Sequence, residues 1–174
     1  AAQGLRCVGV VEEALPGGLV HPCDRPLRVL PDGAVHRIAQ PLGEGARGCR
    51  LDPGALETCA AETTVSLRLG ADLLIVNKFG KHEAQGRGFR GVIADALAQG
   101  VPVLAGVGTL SRQAFMAFTE ALAEPLPPSI EALRDWHERI MSQDRCRIGG
   151  SEAGRWTSTR PDRDRIDPAS RARG

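Results

Sequence analysis

The sequence lacks a strong charge excess, a long apolar run and a disulfide framework. Its 22 basic and 21 acidic residues leave a formal net charge of +1, which gives no general argument for binding nucleic acid or membranes. No apolar run approaches the roughly 20 residues that span a bilayer, and residues 1–20 lack the basic-then-apolar order of a signal peptide. The five cysteines are odd in number and scattered, which indicates reduced thiols. We therefore expect a cytoplasmic protein whose partner is neither a membrane nor a nucleic acid.

Length and composition favour one folded domain followed by a basic tail. The chain has 174 residues, of which 42% are hydrophobic, and this suits a single domain with its own core. Eight arginines fall between Arg145 and Arg173. From Ser142 onward, large apolar residues are too sparse to offset the conformational entropy lost on ordering the backbone. We therefore predict a domain over residues 1–141 and a disordered arginine-rich tail over residues 142–174.

The middle of the chain has the pattern of a strand, a helix and a second strand. Leu73–Val76 is an unbroken apolar run between polar residues, as in parallel strands that are covered on both faces. Apolar residues at helical spacing follow at Phe89, Val92, Ile93, Ala96 and Leu97. Gly100 supplies a left-handed stop, and Val101–Val107 is the next strand candidate. Because two strands joined through one helix favour a parallel crossover, the predicted fold class is α/β.

Three further strands are expected near the amino end. Leu5–Val11 is the first candidate. Leu27–Leu30 and Ala34–Ile38 flank Pro31-Asp32-Gly33, a three-residue loop that predicts an antiparallel hairpin.

Helix starts are marked by capping residues. Asp52 followed by Pro53 predicts an N-cap with proline at the first helical position. The predicted inner face of this helix carries Leu56, Cys59, Ala60, Thr63 and Leu67. Ser111 is expected to cap a helix that reaches Leu122, and Ser129 one that ends near Met141.

Polar and charged residues follow the strand Leu73–Val76 directly, in the loop Asn77-Lys78-Phe79-Gly80-Lys81-His82-Glu83. In open α/β sheets, ligands bind in the crevice at the carboxyl ends of the strands. Lys78 and Lys81 can act as point charges on phosphate oxygens, and Arg87 or Arg90 can make forked contacts. A solvated loop explains the same residues. Glu83 is a candidate general base that orients a water molecule, or else a structural glutamate.

Two other segments carry candidate ligands. Arg47 and Arg50 flank Gly48-Cys49, so they either clamp an anion or belong to a solvated basic loop. His21 and Cys23 are soft metal ligands separated by one residue, but zinc needs about four ligands. Cys49 can join them only through folding, so the alternative is a turn with a buried thiol, and we assign no metal site.

The order of several segments resembles the part of the thermophile-type nucleoside-triphosphatase family that follows its P-loop. The segments are Gly4–Glu13, the Pro31-Asp32-Gly33 hairpin, Leu51–Glu57 and the run ADLLIVNKFGKHE. The resemblance spans roughly residues 4–125 and is nearest to a bacterial branch of unknown function. It implies a three-layer, mostly parallel P-loop sheet with an inserted hairpin. It also implies a nucleoside triphosphate with Mg²⁺ as cofactor, Lys81 and Glu83 as catalytic residues, and Asn77, Lys78 and Gly80 at the nucleotide.

The sequence departs from that family in two ways. Asn77 and Lys78 stand where the family has its two acidic Walker B residues, which hold magnesium and orient the hydrolytic water. No G-x-x-x-x-G-K-[ST] motif occurs, so the family's first strand and P-loop would precede residue 1.

Three functions are compatible with these observations. The first is a degenerate P-loop-type nucleotide-binding protein without efficient hydrolysis. The second is an active nucleoside-triphosphatase or phosphotransferase whose P-loop lies upstream of residue 1. The third is an accessory protein of a metal-cofactor pathway that uses the fold without nucleotide. A sheet lacking its first strand is also expected to self-associate through Leu5–Val11 or Leu73–Val76.

Overall fold

A computed structural model describes residues 5–13, 26–40, 51–120 and 122–149 of the chain. The chain divides into two units, Ala1–Pro125 and Leu126–Gly174. The first contains the sheet and the helices packed on it, and the second contains one long described helix. The prediction of a single domain over residues 1–141 stays a prediction.

The described strands form one five-stranded sheet. They are β1 (Cys7–Glu12), β2 (Leu27–Leu30), β3 (Val35–His36), β4 (Leu73–Phe79) and β5 (Val103–Val107), in the spatial order β3-β2-β1-β4-β5. β4 is parallel to both β1 and β5, whereas β2 is antiparallel to β1 and β3. The α/β class, the parallel crossover and the antiparallel pairing of the hairpin are therefore confirmed. The predicted bounds of the second hairpin strand, Ala34–Ile38, are wrong, because β3 contains only Val35–His36 and residues 31–34 connect it to β2. The sheet as a whole is mixed, because the hairpin forms its antiparallel half.

The two strands predicted to be free for self-association lie inside the sheet. Val10 of β1 pairs with Val29 on one side and with Val76 of β4 on the other, and β4 pairs in turn with β5. The prediction of an open edge along Leu5–Val11 or Leu73–Val76 is wrong, because the hairpin covers β1 and β5 covers β4. Among the described strands, the edges are β3 and β5.

Helix α1 (Pro53–Arg68) begins as the sequence predicts. The Asp52 side chain accepts a hydrogen bond from the Ala55 amide at 3.1 Å, and proline occupies the first turn. All five residues of the predicted inner face are buried. Together with Val8, Val10, Leu74 and Val76 of the sheet, they form the buried core of the first unit.

Helix α3 (Arg90–Ala98) packs on the same core. Phe89, Val92, Ile93 and Ala96 are buried, and Gly100 has a φ of 71° after the helix, as its predicted stop requires. Leu97 belongs to the same helical spacing but is 44% exposed, so the buried face of α3 does not include it.

The carboxyl half differs from prediction at both ends of α4 (Arg112–Phe118) and at the end of α5 (Ile130–Gly149). A 3₁₀ turn (Thr109–Ser111) precedes α4, and Ser111 makes no side-chain capping bond. Helix α4 ends before Leu122, which is 81% exposed. Helix α5 follows Ser129, whose hydroxyl accepts from the Ala132 amide at 3.1 Å.

Helix α5 continues past Met141, so the prediction that regular structure ends there is wrong. Residues 142–149 include the good helix formers glutamine and arginine, and their intrinsic propensity favours continuation of the helix. The rest of the predicted tail, residues 150–174, lies outside the described residues. No described helix is long and apolar enough to cross a membrane, and the three-layer P-loop arrangement stays a prediction.

Candidate functional site

The predicted site loop is only partly a loop. β4 extends to Phe79, so Asn77 and Lys78 are strand residues, both exposed, between buried Val76 and buried Phe79. Phe79 holds the strand end in the core, where its ring lies 5.0 Å from that of Phe115 in a T-shaped contact. Reading a loop from residue 77 is wrong, because a strand end that reaches solvent tolerates polar side chains without leaving the sheet.

Lys78 lies at the carboxyl ends of two neighbouring parallel strands. A Cβ built on Gly108, just after β5, would lie 3.9 Å from Cε of Lys78, so the lysine side chain extends along the end of β5. Gly106 of β5 is exposed, and a side chain there would collide with the Asn77 carbonyl oxygen. The carboxyl ends of β4 and β5 therefore carry an exposed lysine beside two glycines. We call this arrangement of Asn77, Lys78, Gly106 and Gly108 the carboxyl edge.

Glu83 is enclosed by its own segment. Its side chain is in the short helix α2 (Lys81–Ala84), and the residue is only 3% exposed. Oε2 accepts from the Gly80 amide at 2.8 Å, and Oε1 accepts from the Phe89 amide at 3.4 Å. Both carboxylate oxygens are therefore engaged by backbone amides, which is the geometry of a capping residue.

Glu57 and His82 form a second contact, which the sequence did not predict. Glu57 Oε1 accepts from the Gly88 amide at 2.8 Å and lies 3.0 Å from His82 Nε2. A carboxylate has no hydrogen to donate, so this contact places a proton on Nε2 of the nearly buried imidazole. Glu57 follows the inner-face residue Leu56 on α1, and no spacing rule distinguishes it from a solvated glutamate. Its partners are 25 and 31 residues away in sequence, so the fold alone brings them together.

The remaining predicted cations have different surroundings. Lys81 and Arg87 are exposed, whereas the Arg90 guanidinium lies 4.2 Å from the centre of the Phe118 ring in a cation–π contact. Within the described ranges, no carboxylate is ion-paired with Lys78, Lys81 or Arg87.

Acidic charge at the end of β1 is neutralised locally. Arg28 donates to both carboxylate oxygens of Glu13, from Nε at 2.7 Å and from Nη2 at 2.9 Å. The hydrogen bond from Arg28 lowers the pKa of Glu13, so this carboxylate keeps its charge and its partner.

Several predicted residues lie outside the described part of the chain, namely Arg47, Arg50, His21, Cys23 and Cys49. Their assignments to an anion clamp or to a turn with soft ligands stay predictions. Among the described residues, no group of three or more histidine, cysteine, aspartate or glutamate side chains is arranged to hold a metal ion.

Comparison with known proteins gives a family and one curated relative. The model of the family "Protein of unknown function (DUF2478)" matches residues 1–136. The chain is 32% identical over 133 residues to the "Molybdenum import ATP-binding protein ModC 2" of Bradyrhizobium diazoefficiens. That alignment covers 76% of this chain but only 15% of the relative's length. No solved structure matches significantly.

Proposed function

The chain belongs to the DUF2478 family of proteins of unknown function, and we propose that it binds the phosphate groups of a nucleotide without hydrolysing them efficiently. The binding surface in this proposal is the carboxyl edge. The observation that carries it is the position of Lys78, an exposed cation at the carboxyl ends of two adjacent parallel strands.

The local geometry supports contact with phosphate. Ligands of open α/β sheets bind outside the carboxyl ends of the strands, and β4 and β5 end together there. Gly108 leaves space beside Lys78, because a Cβ there would meet only Cε of Lys78 within 4 Å, and a glycine lets a ligand approach the backbone closely. Lys81 and Arg87 are exposed in the following segment and add positive charge for a polyphosphate.

Magnesium does not fit the residues at this edge. Mg²⁺ is held in proteins mainly by carboxylates together with substrate phosphates, and positions 77 and 78 carry an amide and an ammonium group instead. In the proposed function the charge of Lys78 replaces that of the metal. Glu83 is only 3% exposed and each of its oxygens accepts from a backbone amide, so its carboxylate is poorly accessible to an attacking water.

The relative also supports nucleotide binding, because its name describes an ATP-binding protein. The same name refers to molybdenum import, and this favours a second candidate function as an accessory protein of a metal-cofactor pathway. Molybdate, like phosphate, is a tetrahedral oxyanion, and the cations of the carboxyl edge would attract either one.

Isothermal titration of the chain with ATP, ADP, phosphate and molybdate tests the two proposals. Replacing Lys78 by alanine should weaken ATP binding about 10- to 150-fold, because a hydrogen bond to a charged group contributes about 1.5–3 kcal/mol. Arg68→Ala is the matched control, because it removes one positive charge from an exposed residue at the far end of α1. Equal effects of the two variants would contradict a site at Lys78, and binding of molybdate but not ATP would favour the accessory role.

We also propose that the chain self-associates through strand β5. This strand is five residues long, uncharged and at the sheet edge, whereas the opposite edge strand β3 has only two residues. Long apolar edges without charge are prone to pair with other strands.

A further inference from the structure

We infer that Glu57 is a positioning residue for the basic segment, by which we mean residues 81–90 with their cations Lys81, Arg87 and Arg90. This inference deepens the proposed function and rests on it. The basic segment follows β4 at the carboxyl edge, and the position of its cations depends on how its backbone is held.

The backbone of the basic segment is held by carboxylates from two different elements. The amide of Gly88 donates to Oε1 of Glu57 on α1, and the next amide, that of Phe89, donates to Oε1 of Glu83 on α2. Two consecutive N–H groups are therefore bound by different partners. This arrangement defines the chain path immediately after Arg87.

Gly88 has the backbone conformation that this arrangement requires. Its φ is 56°, in the left-handed region, and a Cβ there would collide with Oε1 of Glu83. A residue with a side chain at this position would therefore displace the Glu83 carboxylate, which caps helix α2. His82 adds a second link to α1, because its Nε2 lies 3.0 Å from the same oxygen of Glu57.

Two explanations of Glu57 predict opposite effects on anion binding. If Glu57 acted only through its charge, its removal would strengthen binding of an anion, because a negative charge near the cations is lost. If Glu57 positions the basic segment, truncation to alanine frees Gly88 and His82 and weakens binding. Glutamine keeps an oxygen that can accept from Gly88, so it preserves the position while it removes the charge.

The experiment compares Glu57→Ala and Glu57→Gln in the full chain, with Asp95→Ala as the control. Asp95 is an exposed carboxylate on α3, so its replacement also removes one negative charge from a helix surface. Alanine is the best helix former and the Glu57 side chain is half exposed, so the helix should persist in each variant. The readouts are hydrogen exchange at the Gly88 and Phe89 amides by NMR, and ATP binding by calorimetry.

Positioning predicts that Glu57→Ala speeds exchange at Gly88 by about fivefold or more, since one hydrogen bond contributes about 1 kcal/mol. The same variant should weaken ATP binding severalfold. Glu57→Gln should keep slow exchange and bind ATP as tightly as the natural chain or more tightly, and Asp95→Ala should change neither readout.

Unchanged exchange at Gly88 in Glu57→Ala overturns the inference, whatever the ligand data show. Altered exchange with ATP affinity equal to that of Glu57→Gln also overturns it, because the position of the segment would then not matter for binding. If the natural chain binds no ATP, the proposed function fails, and the exchange data by themselves decide whether Glu57 holds the segment.

Discussion

The carboxylate of Glu83 accepts a hydrogen bond from the amide of Gly80, three residues earlier, at 2.8 Å. This contact closes the start of the helix that contains Glu83, and the residue is almost completely buried. A general base needs a free oxygen within reach of the proton it removes. The geometry at Gly80 therefore favours a structural role for the residue that the family resemblance implies is catalytic.

The first prediction follows from that role. Replacing Glu83 by alanine should lower the free energy of unfolding by about 2–3 kcal/mol, because two backbone amides lose their acceptor in a buried place. Asp95→Ala, at an exposed position on α3, should cost less than about 0.5 kcal/mol. Urea denaturation followed by circular dichroism measures both changes, and similar values would show that the Glu83 cap contributes little.

An assay of nucleotide hydrolysis tests whether the chain is an active nucleoside-triphosphatase. We expect the chain to release phosphate from ATP or GTP no faster than buffer, because it has no P-loop motif and no acidic pair at positions 77 and 78. The measurement is phosphate release from pure protein with magnesium. Turnover that disappears in Lys81→Ala or Glu83→Ala would instead support an active nucleoside-triphosphatase or phosphotransferase.

Alanine substitutions at two glycines in the same region should have opposite effects on the melting temperature. Gly88 has a φ of 56° and lies against Glu83, whereas a Cβ on Gly91 of α3 meets nothing within 4 Å. Gly88→Ala should therefore lower the melting temperature, through backbone strain and displacement of the cap. Gly91→Ala should leave it unchanged or raise it, because alanine favours the helix by up to about 1 kcal/mol. Differential scanning calorimetry measures both melting temperatures, and equal values for the two variants would contradict the described position of Gly88.

The thiol of Cys59 should make stability depend on alkaline pH. It is completely buried, and burial raises its pKa to about 11 from an ordinary value of 9.0. The folded state therefore favours the protonated thiol, so this contribution is complete below about pH 9 and is lost as the pH rises through 11. Urea midpoints from pH 8 to 11 should fall more steeply for the natural chain than for Cys59→Ala. Parallel pH profiles would show that another group causes the loss.

The edge strand β5 gives a prediction about assembly. Leu104→Lys places a charge on this strand at a residue outside the core cluster, and charges on edge strands oppose pairing between chains. The natural chain should form dimers or larger species in light scattering, and Leu104→Lys should reduce them. Val35→Lys on the opposite edge strand is the control. A natural chain that stays monomeric at high concentration would refute pairing through β5.

Residues whose environment depends on their neighbours in the chain could be predicted from the sequence. The start of α1 at Asp52, its inner face, the hairpin around Pro31-Asp32-Gly33 and the stop at Gly100 all follow from local rules of capping, periodicity and turn chemistry. Each was confirmed. These features depend on backbone conformation and burial on one face, which a short window of sequence specifies.

Only the tertiary structure decided which polar groups lie together. The strand neighbours of β1 and β4, the contact of Glu57 with Gly88 and the position of Lys78 beside Gly108 all join residues distant in sequence. The extension of β4 through Asn77 and Lys78 also depends on the burial of Phe79 against Phe115, not on the polarity of the two residues before it. The sequence by itself determined an α/β chain with cations after a buried strand. The three-dimensional packing decided that Glu83 caps its helix and that the Lys78 side chain is exposed beside Gly108. The reason is that hydrogen-bond partners and solvent exposure are properties of the folded arrangement.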